Sequence, residues 1–329
     1  MSENSSPIRV VQTRAIAESE HLVDGVIATG DGVERAWGDA DGLVIARSSL
    51  KPIQVIPVVS SGAADAFGFA AEDIALFASS HSAEVAQLDR VADVLRTIGL
   101  TEDALECGAT RPLAVEQADR LTASGEPFRR IHNCCSGKHA GFLAIAQYLG
   151  IDPAGYIQRD HPVQTLVTHA IETFTGFNLA GQPVGVDGCG IPTHGVPLSS
   201  LAQSMVNLVR PTGVPGFDPQ MKSAADRVVA SLGPNARWLS GEGRAEVLLA
   251  ERATEALVSK VGAEGVFMAA LPDRGIGIAL KARDGARRAG DLAMEAVLAD
   301  LGVLREGDAV HTVVNAEGTI VGTMDVHLQ

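Results

Sequence analysis

Hydrophobic and polar residues alternate with two different periods along this chain. Near both ends, apolar residues recur at every second position or in short runs, as in "HLVDGVIAT" and "GIGIALKAR", which predicts β-strands. Between about residues 50 and 260, apolar residues recur at three and four positions, as in "AEVAQLDRVADVLRTIGL" and "PVQTLVTHAIETFTG", which predicts helices. One more helix, "RAGDLAMEAVLADLGVL", is predicted among the last strands.

These two periods predict an α+β fold. Strands from about 8–47 and 264–326 would form one antiparallel sheet covered by helices, with a mostly helical region at about 50–260 inserted between them. The chain contains no internal repeat, no low-complexity segment and no linker rich in Pro, Gly and Ser. We therefore expect residues 1–329 to form a single domain.

The composition favours an enzyme that acts on a small molecule. The formal net charge is -14, so nucleic acid and anionic membrane surfaces would be repelled. The N-terminus has no basic stretch followed by an apolar core, and no apolar run approaches the length of a membrane span, so we expect a cytoplasmic protein. Four cysteines in 329 residues do not make a disulfide framework, and clustered cysteines in a reducing compartment are more often catalytic or metal-binding.

Lysine is scarce in this chain. The 26 basic residues divide into 21 arginines and only five lysines, at positions 51, 138, 222, 260 and 281. Lysine differs from arginine in that it can lose its proton when it is desolvated. Each lysine is therefore a candidate for chemistry that arginine cannot perform.

The first candidate site is Ser48-x-x-Lys51 in "IARSSLKPIQVIPVV". Pro52 is typical of a first helical turn, which would place Ser48 near the helix N-terminus and Lys51 on the same face. A serine nucleophile with a lysine base requires this spacing, although chance alone gives the pattern about 0.3 times in such a chain. Lys51 can act as a base only if it is buried and not paired with a carboxylate.

Two further segments follow in the order that Ser-x-x-Lys enzymes share. Ser80 in "ASSHSAE" belongs to a Ser-x-Ser that can stand for Ser-x-Asn, and Lys260 in "SKVGAEGVF" is close to Lys-Thr-Gly. Each segment also has a structural interpretation. The serines can end one helix and cap the next, and Lys260 can complement a helix dipole in a last turn.

The stretch "IHNCCSGKHAG" suits a metal site better than a phosphate loop, because it lacks the first glycine and the Ser or Thr after the lysine. Cys135 has histidines close by, including His139, and "VDGCGIPTHGVPL" supplies Cys189 and His194 on a second loop. Two thiolates and one nitrogen suit zinc with an open position. Alternatively, the cysteines pack as small apolar residues. Asp187 in the second loop either closes the loop or receives a substrate ammonium.

Together these segments resemble the asparaginase II family, the rhizobial-type or class 3 L-asparaginases. The resemblance rests on "ARSSLKPIQ", "ASSHS", "HNCCSGKHAGFLA", "VDGCGIPTHGVPL" and "KVGAEGVF", in this order across nearly the whole chain. It implies a fold similar to serine beta-lactamases and glutaminases, hydrolysis of L-asparagine to L-aspartate and ammonia, and a homodimer.

The resemblance also assigns residues. It implies two Ser-Lys pairs, Ser48 with Lys51 and Ser80 with Lys260. It further implies a zinc site made by Cys135, Lys138 and Cys189, with His139 as the alternative third ligand. The candidate substrate-binding residues are Arg47, Asp187 and His139.

The expected reaction is amide hydrolysis through an acyl-enzyme. Neutral Lys51 would take the proton of Ser48, which attacks the side-chain amide, while Ser80 and Lys260 polarise the group or relay protons. The sequence leaves open which of Ser48 and Ser80 is acylated. Zinc would orient the substrate. A glutaminase is the nearest rival, since one methylene is worth only about 1–3 kcal/mol in a pocket. The same motifs are compatible with a beta-lactamase-like enzyme or with a zinc-bearing binding protein.

Overall fold

Strands from both ends of the chain form one antiparallel sheet, as predicted. The computed structural model describes residues 6–211, 216–305 and 311–328. Its strands are β1 (Ile8–Thr13), β2 (Ala17–Thr29), β3 (Gly32–Trp37), β4 (Leu43–Ile45), β5 (Val184–Val186), β6 (Pro192–Pro197), β7 (Val258–Val261), β8 (Val266–Leu271), β9 (Ile276–Ala282), β10 (His311–Val314) and β11 (Ile320–His327). The main sheet has the order β10-β11-β1-β2-β9-β8-β7, and β3 pairs with β2. The α+β prediction is confirmed.

Helices fill the region between the strands, also as predicted. They are α1 (Lys51–Gln54), α2 (Ile56–Ser60), α3 (Ala63–Ala66), α4 (Ala71–Phe77), α5 (Val85–Thr97), α6 (Val115–Ser124), α7 (Ser136–Leu149), α8 (Pro162–Thr175), α9 (Leu198–Val209), α10 (Pro219–Leu232), α11 (Ala236–Leu239), α12 (Ala245–Arg252) and α13 (Arg287–Asp300). No helix among the described residues has both the length and the apolar character needed to cross a membrane.

Two details of the predicted sheet were wrong. Strand β4 leaves the main sheet and pairs with β6, which also pairs with β5, so a small three-stranded sheet lies inside the helical region. The C-terminal part of the main sheet also begins before residue 264, because β7 pairs with β8 and forms an edge of the sheet. Strands of three or four residues carry too little periodicity to be recognised in a sequence.

Strands β7, β8 and β9 of the main sheet are buried on both faces, and this explains their long apolar runs. One face packs against the helical region through residues such as Val26, Met268 and Ala279. The other face packs against α13 through residues such as Ile27, Phe267 and Ile278. Because successive side chains point to opposite faces, β2, β7, β8 and β9 each contribute to both cores.

Strand β9 and helix α9 approach each other so closely that only glycine fits at position 277. A Cβ atom at Gly277 would lie 2.2 Å from the carbonyl oxygen of Ala202 and 2.7 Å from the backbone nitrogen of Val206. Backbone atoms cannot rotate away as a flexible side chain can. The close contact therefore fixes the helix against the centre of the sheet.

We expect Gly277→Ala to lower the free energy of unfolding by about 1–3 kcal/mol, because the new methyl forces the helix and sheet apart. Urea unfolding followed by circular dichroism measures this change. The matched control is Gly30→Ala, where a Cβ atom meets nothing within 4 Å. Equal stability of the two variants would contradict the packing argument.

Candidate active site

Four chain segments meet at the candidate site, and each places one functional side chain there. Lys51 is the first residue of α1, directly after a 3-10 turn at Arg47–Leu50, and Pro52 follows it in the first helical turn. Ser80 follows the end of α4, Cys135 directly precedes α7, and Lys260 lies on β7. The helix start predicted around Pro52 is therefore present, with Ser48 in the turn before it.

Lys51 is fully buried, and its amine has no carboxylate partner among the described residues. The Nζ atom donates to the carbonyl oxygen of Ser79. It also lies 2.9 Å from Ser80 Oγ and 3.2 Å from Cys135 Sγ. Among the described residues, the amine thus contacts a carbonyl oxygen, a hydroxyl and a thiol, and no carboxylate.

The hydrogen bond of Lys51 goes to Ser80, and none joins Lys51 to Ser48 within the described residues. Ser48 is partly exposed, whereas Ser80 is buried and its backbone N–H donates to Leu239. The side chain of Ser48 is therefore accessible to solvent, and the hydroxyl of Ser80 is the one that contacts the amine of Lys51.

Lys260 is also fully buried, but it pairs with a carboxylate instead of Ser80. Its Nζ atom lies 2.9 Å from Glu246 Oε1 and 2.8 Å from the carbonyl oxygen of Val261. Burial alone would raise the pKa of Glu246, but the charge of Lys260 lowers it to about 2. Burial lowers the pKa of Lys260, and the nearby charge of Lys51 contributes to the same direction. The predicted pairing of Lys260 with Ser80 stays a prediction, and the structure adds Glu246, a partner of Lys260 that sequence reasoning missed.

No pattern in the sequence points to Glu246. It lies one position into α12, where an acidic residue in the first turn normally complements the helix dipole from the surface. In the structure it is fully buried, and its Oε2 atom has no hydrogen-bond partner among the described residues. Only the burial of both partners distinguishes this pair from an ordinary helix start.

The thiols of Cys134, Cys135 and Cys189 are coupled to one another. Hydrogen bonds from the thiols of Cys134 and Cys189 hold the pKa of Cys135 well below its usual range, and the same contacts raise the pKa values of Cys134 and Cys189. Lys138 Nζ donates to Cys189 Sγ over 3.1 Å. Burial would lower the pKa of Lys138, but the charges of Cys189, Cys135 and Asp187 raise it.

The donor set of this cluster fits zinc. Among the described residues, no three His, Cys, Asp or Glu side chains converge to hold a metal, so His139 does not join Cys135 and Cys189 in such a group. The amine of Lys138 contacts the thiol of Cys189, and the amine of Lys51 contacts that of Cys135. Two thiolates and an amine are ligands that zinc accepts, and a dication beside the amine would favour its neutral form.

His139 lies on the inner side of α7 and is fully buried. Its Nδ1 atom is 2.6 Å from the hydroxyl of Tyr156, and its Nε2 atom has no partner among the described residues. Burial holds the pKa of His139 well below its usual range, so the ring is neutral. Contact between His139 and a substrate stays a prediction, and it requires that the ring become uncovered.

Arg47 and Asp187 form an ion pair beside the cluster. Arg47 Nε donates to Asp187 Oδ1 over 2.8 Å, and the same oxygen accepts from the backbone of Gly188. Arg47 adopts a left-handed backbone conformation, with φ of 54°, which is unfavourable for a side chain of this size. The ion pair joins the turn that carries Ser48 to the loop that carries Cys189.

Solved structures with related folds are distant from this chain. Mglu in its glutamate form is 19% identical with a TM-score of 0.47, and the match covers 87% of this chain but only 62% of that protein. A beta-lactamase from Mycobacterium bovis is 16% identical with a TM-score of 0.41, covering 84% of this chain and 94% of the other. These similarities are too weak to transfer an activity. No curated protein matches the chain.

The family comparison is more decisive. The model of the L-asparaginase II family matches residues 10–326, which includes the segments that carry both serines, the buried lysines and the thiol cluster. The match spans nearly the whole chain and agrees with the resemblance derived from its motifs. This chain belongs to the L-asparaginase II family.

Proposed function

We propose that this protein is an L-asparaginase, which hydrolyses L-asparagine to L-aspartate and ammonia by a serine-lysine mechanism. Membership of the L-asparaginase II family supports an amidohydrolase. The observation that carries the mechanism is the buried amine of Lys51, 2.9 Å from Ser80 Oγ and free of a carboxylate among the described residues. A nucleophile and a base within hydrogen-bond distance are the minimum for covalent amide hydrolysis.

In this mechanism Lys51 is the base, Ser48 is the nucleophile and Ser80 can relay a proton between them. Ser48 attacks the side-chain amide carbon, because it is partly exposed and lies one helical turn before Lys51. The Ser48 proton passes to neutral Lys51, either directly or through the hydroxyl of Ser80, which already contacts the amine. Lys51 then protonates the leaving nitrogen, and ammonia departs as the ester to Ser48 forms.

The second half of the reaction reverses these roles. Water attacks the ester carbon, Lys51 accepts a proton from the water, and the Ser48 oxygen leaves and recovers a proton. Backbone N–H groups stabilise the oxyanion in both halves. The net change is one water consumed and one ammonia released per amide cleaved.

Lys260 and Glu246 support this site without contacting Ser80. The carboxylate of Glu246 compensates the buried charge of Lys260, and the ion pair holds the ammonium of Lys260 at a fixed place near Lys51. Truncation of either partner would leave the other charge buried and uncompensated, which costs about 3–5 kcal/mol.

The proposal includes a zinc ion that helps to orient the substrate. Cys135, Lys138 and Cys189 would hold it, and when bound it supplies a positive charge that orients the substrate. Cys135 connects the metal ligands to the base, because its Sγ atom lies 3.2 Å from Lys51 Nζ. Proton transfer and nucleophilic attack remain with the serines and Lys51.

The first prediction concerns the base. We expect ammonia release from L-asparagine by the intact protein and a fall in kcat of about 10³-fold or more in Lys51→Ala, since the serine loses its proton acceptor. The matched control is Lys222→Ala, which removes an exposed lysine on α10. L-Glutamine is assayed beside L-asparagine. Preferential release from glutamine would replace the asparaginase proposal with a glutaminase, and release from neither substrate would reject both.

The second prediction concerns the nucleophile. Acid quenching during turnover of L-asparagine, followed by peptide mass spectrometry, should find the aspartyl group on Ser48. Ser80→Ala should slow the reaction without removing the site of acylation, whereas Ser48→Ala should remove it. An aspartyl group on Ser80 would assign the attack to that serine and leave Ser48 as an accessory group.

The third prediction concerns the metal. We expect about one zinc per chain in the purified protein, and a loss of most of it in Cys189→Ser, because a hydroxyl is a poor substitute for a thiolate ligand. Cys107→Ser is the control, since Cys107 is also buried and its thiol donates to the carbonyl oxygen of Arg130.

Chelation should raise KM more than it lowers kcat if zinc orients the substrate. Complete loss of turnover at saturating asparagine would contradict that role.

A further inference from the structure

Arg244 is a cation without a partner at the edge of the candidate active site. It directly precedes α12 and is partly buried. Its Nε atom is buried and has no hydrogen-bond partner, and no ion pair reaches its guanidinium from the described part of the chain. A guanidinium stays charged and offers five donors, so leaving it unpaired in a partly desolvated place is costly.

The backbone around Arg244 lies against the segment that carries Ser80. Ser80 N donates to the carbonyl oxygen of Leu239, and Ser82 Oγ donates to that of Ser240, each over 2.9 Å. Glu242 N donates to Glu84 Oε1 over 2.7 Å. These three contacts fix the segment 239–242 along residues 80–84, so the loop that ends at Arg244 borders the segment that carries Ser80.

The charged groups around Arg244 pair with one another and leave the positive charge of Arg244 uncompensated. Lys260 pairs with Glu246 at 2.9 Å, and Arg287 pairs with Asp291 at 3.2 Å. Burial lowers the pKa of Arg244 and the charge of Arg287 adds to that effect, while Glu246, Cys134 and Asp291 act in the opposite direction. Two cations and two anions compensate one another, and the positive charge of Arg244 remains.

Cys134 connects this charge to the catalytic centre. It is one of the groups that act on Arg244, and its Sγ atom lies 3.9 Å from Cys135 Sγ. Cys135 in turn contacts Lys51 over 3.2 Å. The backbone contacts of segment 239–242 with residues 80–84 place Arg244 next to the segment that carries Ser80.

An α-amino acid substrate carries a carboxylate that needs a cation, and the other cations of the site are engaged. Arg47 pairs with Asp187, Lys138 donates to Cys189, and Lys260 pairs with Glu246. Lys51 contacts the carbonyl oxygen of Ser79, Ser80 Oγ and Cys135 Sγ. Among the described residues at this site, Arg244 is the cation whose buried Nε has no hydrogen-bond partner, which makes it the candidate to accept a carboxylate.

We propose that Arg244 binds the α-carboxylate of the substrate and so selects amino-acid amides over amides without this group. The inference rests on the proposed amidohydrolase function and names the group that the substrate must carry. Two charge-assisted hydrogen bonds from the guanidinium would orient the amino acid with its side-chain amide toward Ser48. Asp187 stays available for the ammonium through its second oxygen.

The test compares two ligands that differ by the α-carboxylate alone. L-Asparagine is assayed by ammonia release, and 3-aminopropanamide is assayed as a competitor against it. We expect Arg244→Gln to raise KM for L-asparagine roughly 10- to 100-fold, with a smaller effect on kcat, because the lost bonds involve two charged groups. The inhibition constant of 3-aminopropanamide should stay nearly unchanged, and Arg244→Lys should recover part of the affinity.

Arg287→Gln is the matched control. It removes another arginine from the same group of charges but leaves Arg244 in place, so KM for L-asparagine should change little. Equal weakening of both ligands in Arg244→Gln, or an unchanged KM, would overturn the proposal. The intact protein distinguishes this failure from failure of the function itself, because absence of ammonia release from L-asparagine appears before any variant is compared.

Discussion

The buried amine of Lys51 is the constraint on which the site depends. An amine in a protein interior needs partners, and a carboxylate would hold it in the charged form. This fold instead surrounds Lys51 with a backbone carbonyl, a serine hydroxyl and a thiol. The start of α1, the end of α4 and the start of α7 must therefore meet at one point, and the helices pack to make that meeting possible.

Much of this arrangement could be predicted from the sequence, and the reason is the local character of the signals. The two periods of hydrophobic residues predicted the sheet from both termini and the helical region, and Ser48-x-x-Lys51 marked the helix start that carries Lys51. The segment with Ser80 was recognised as well. Each of these signals is contained within a few neighbouring residues, where spacing alone defines geometry.

Contacts between distant segments could not be predicted in the same way. The partner of Lys260 is Glu246, fourteen residues away and on a different element, and an acidic residue at a helix start gives no sign that it will be buried. Likewise, the pairing of β4 with β6 depends on the path of the intervening chain. The hydrogen bond from Lys51 to Ser80 instead of Ser48 is a matter of side-chain direction, which residue spacing does not specify.

The distribution of lysines has a practical consequence for chemical conjugation. Three of the five lysines are buried and engaged within the site, at positions 51, 138 and 260. Lys281 donates to the carbonyl oxygens of Glu264 and Ala282, so Lys222 is the one lysine side chain on the described surface that is both exposed and without such bonds. Among the lysines, reagents that acylate amines would thus react first at Lys222 on α10, while the amine of Lys51 would be shielded from them by the folded protein.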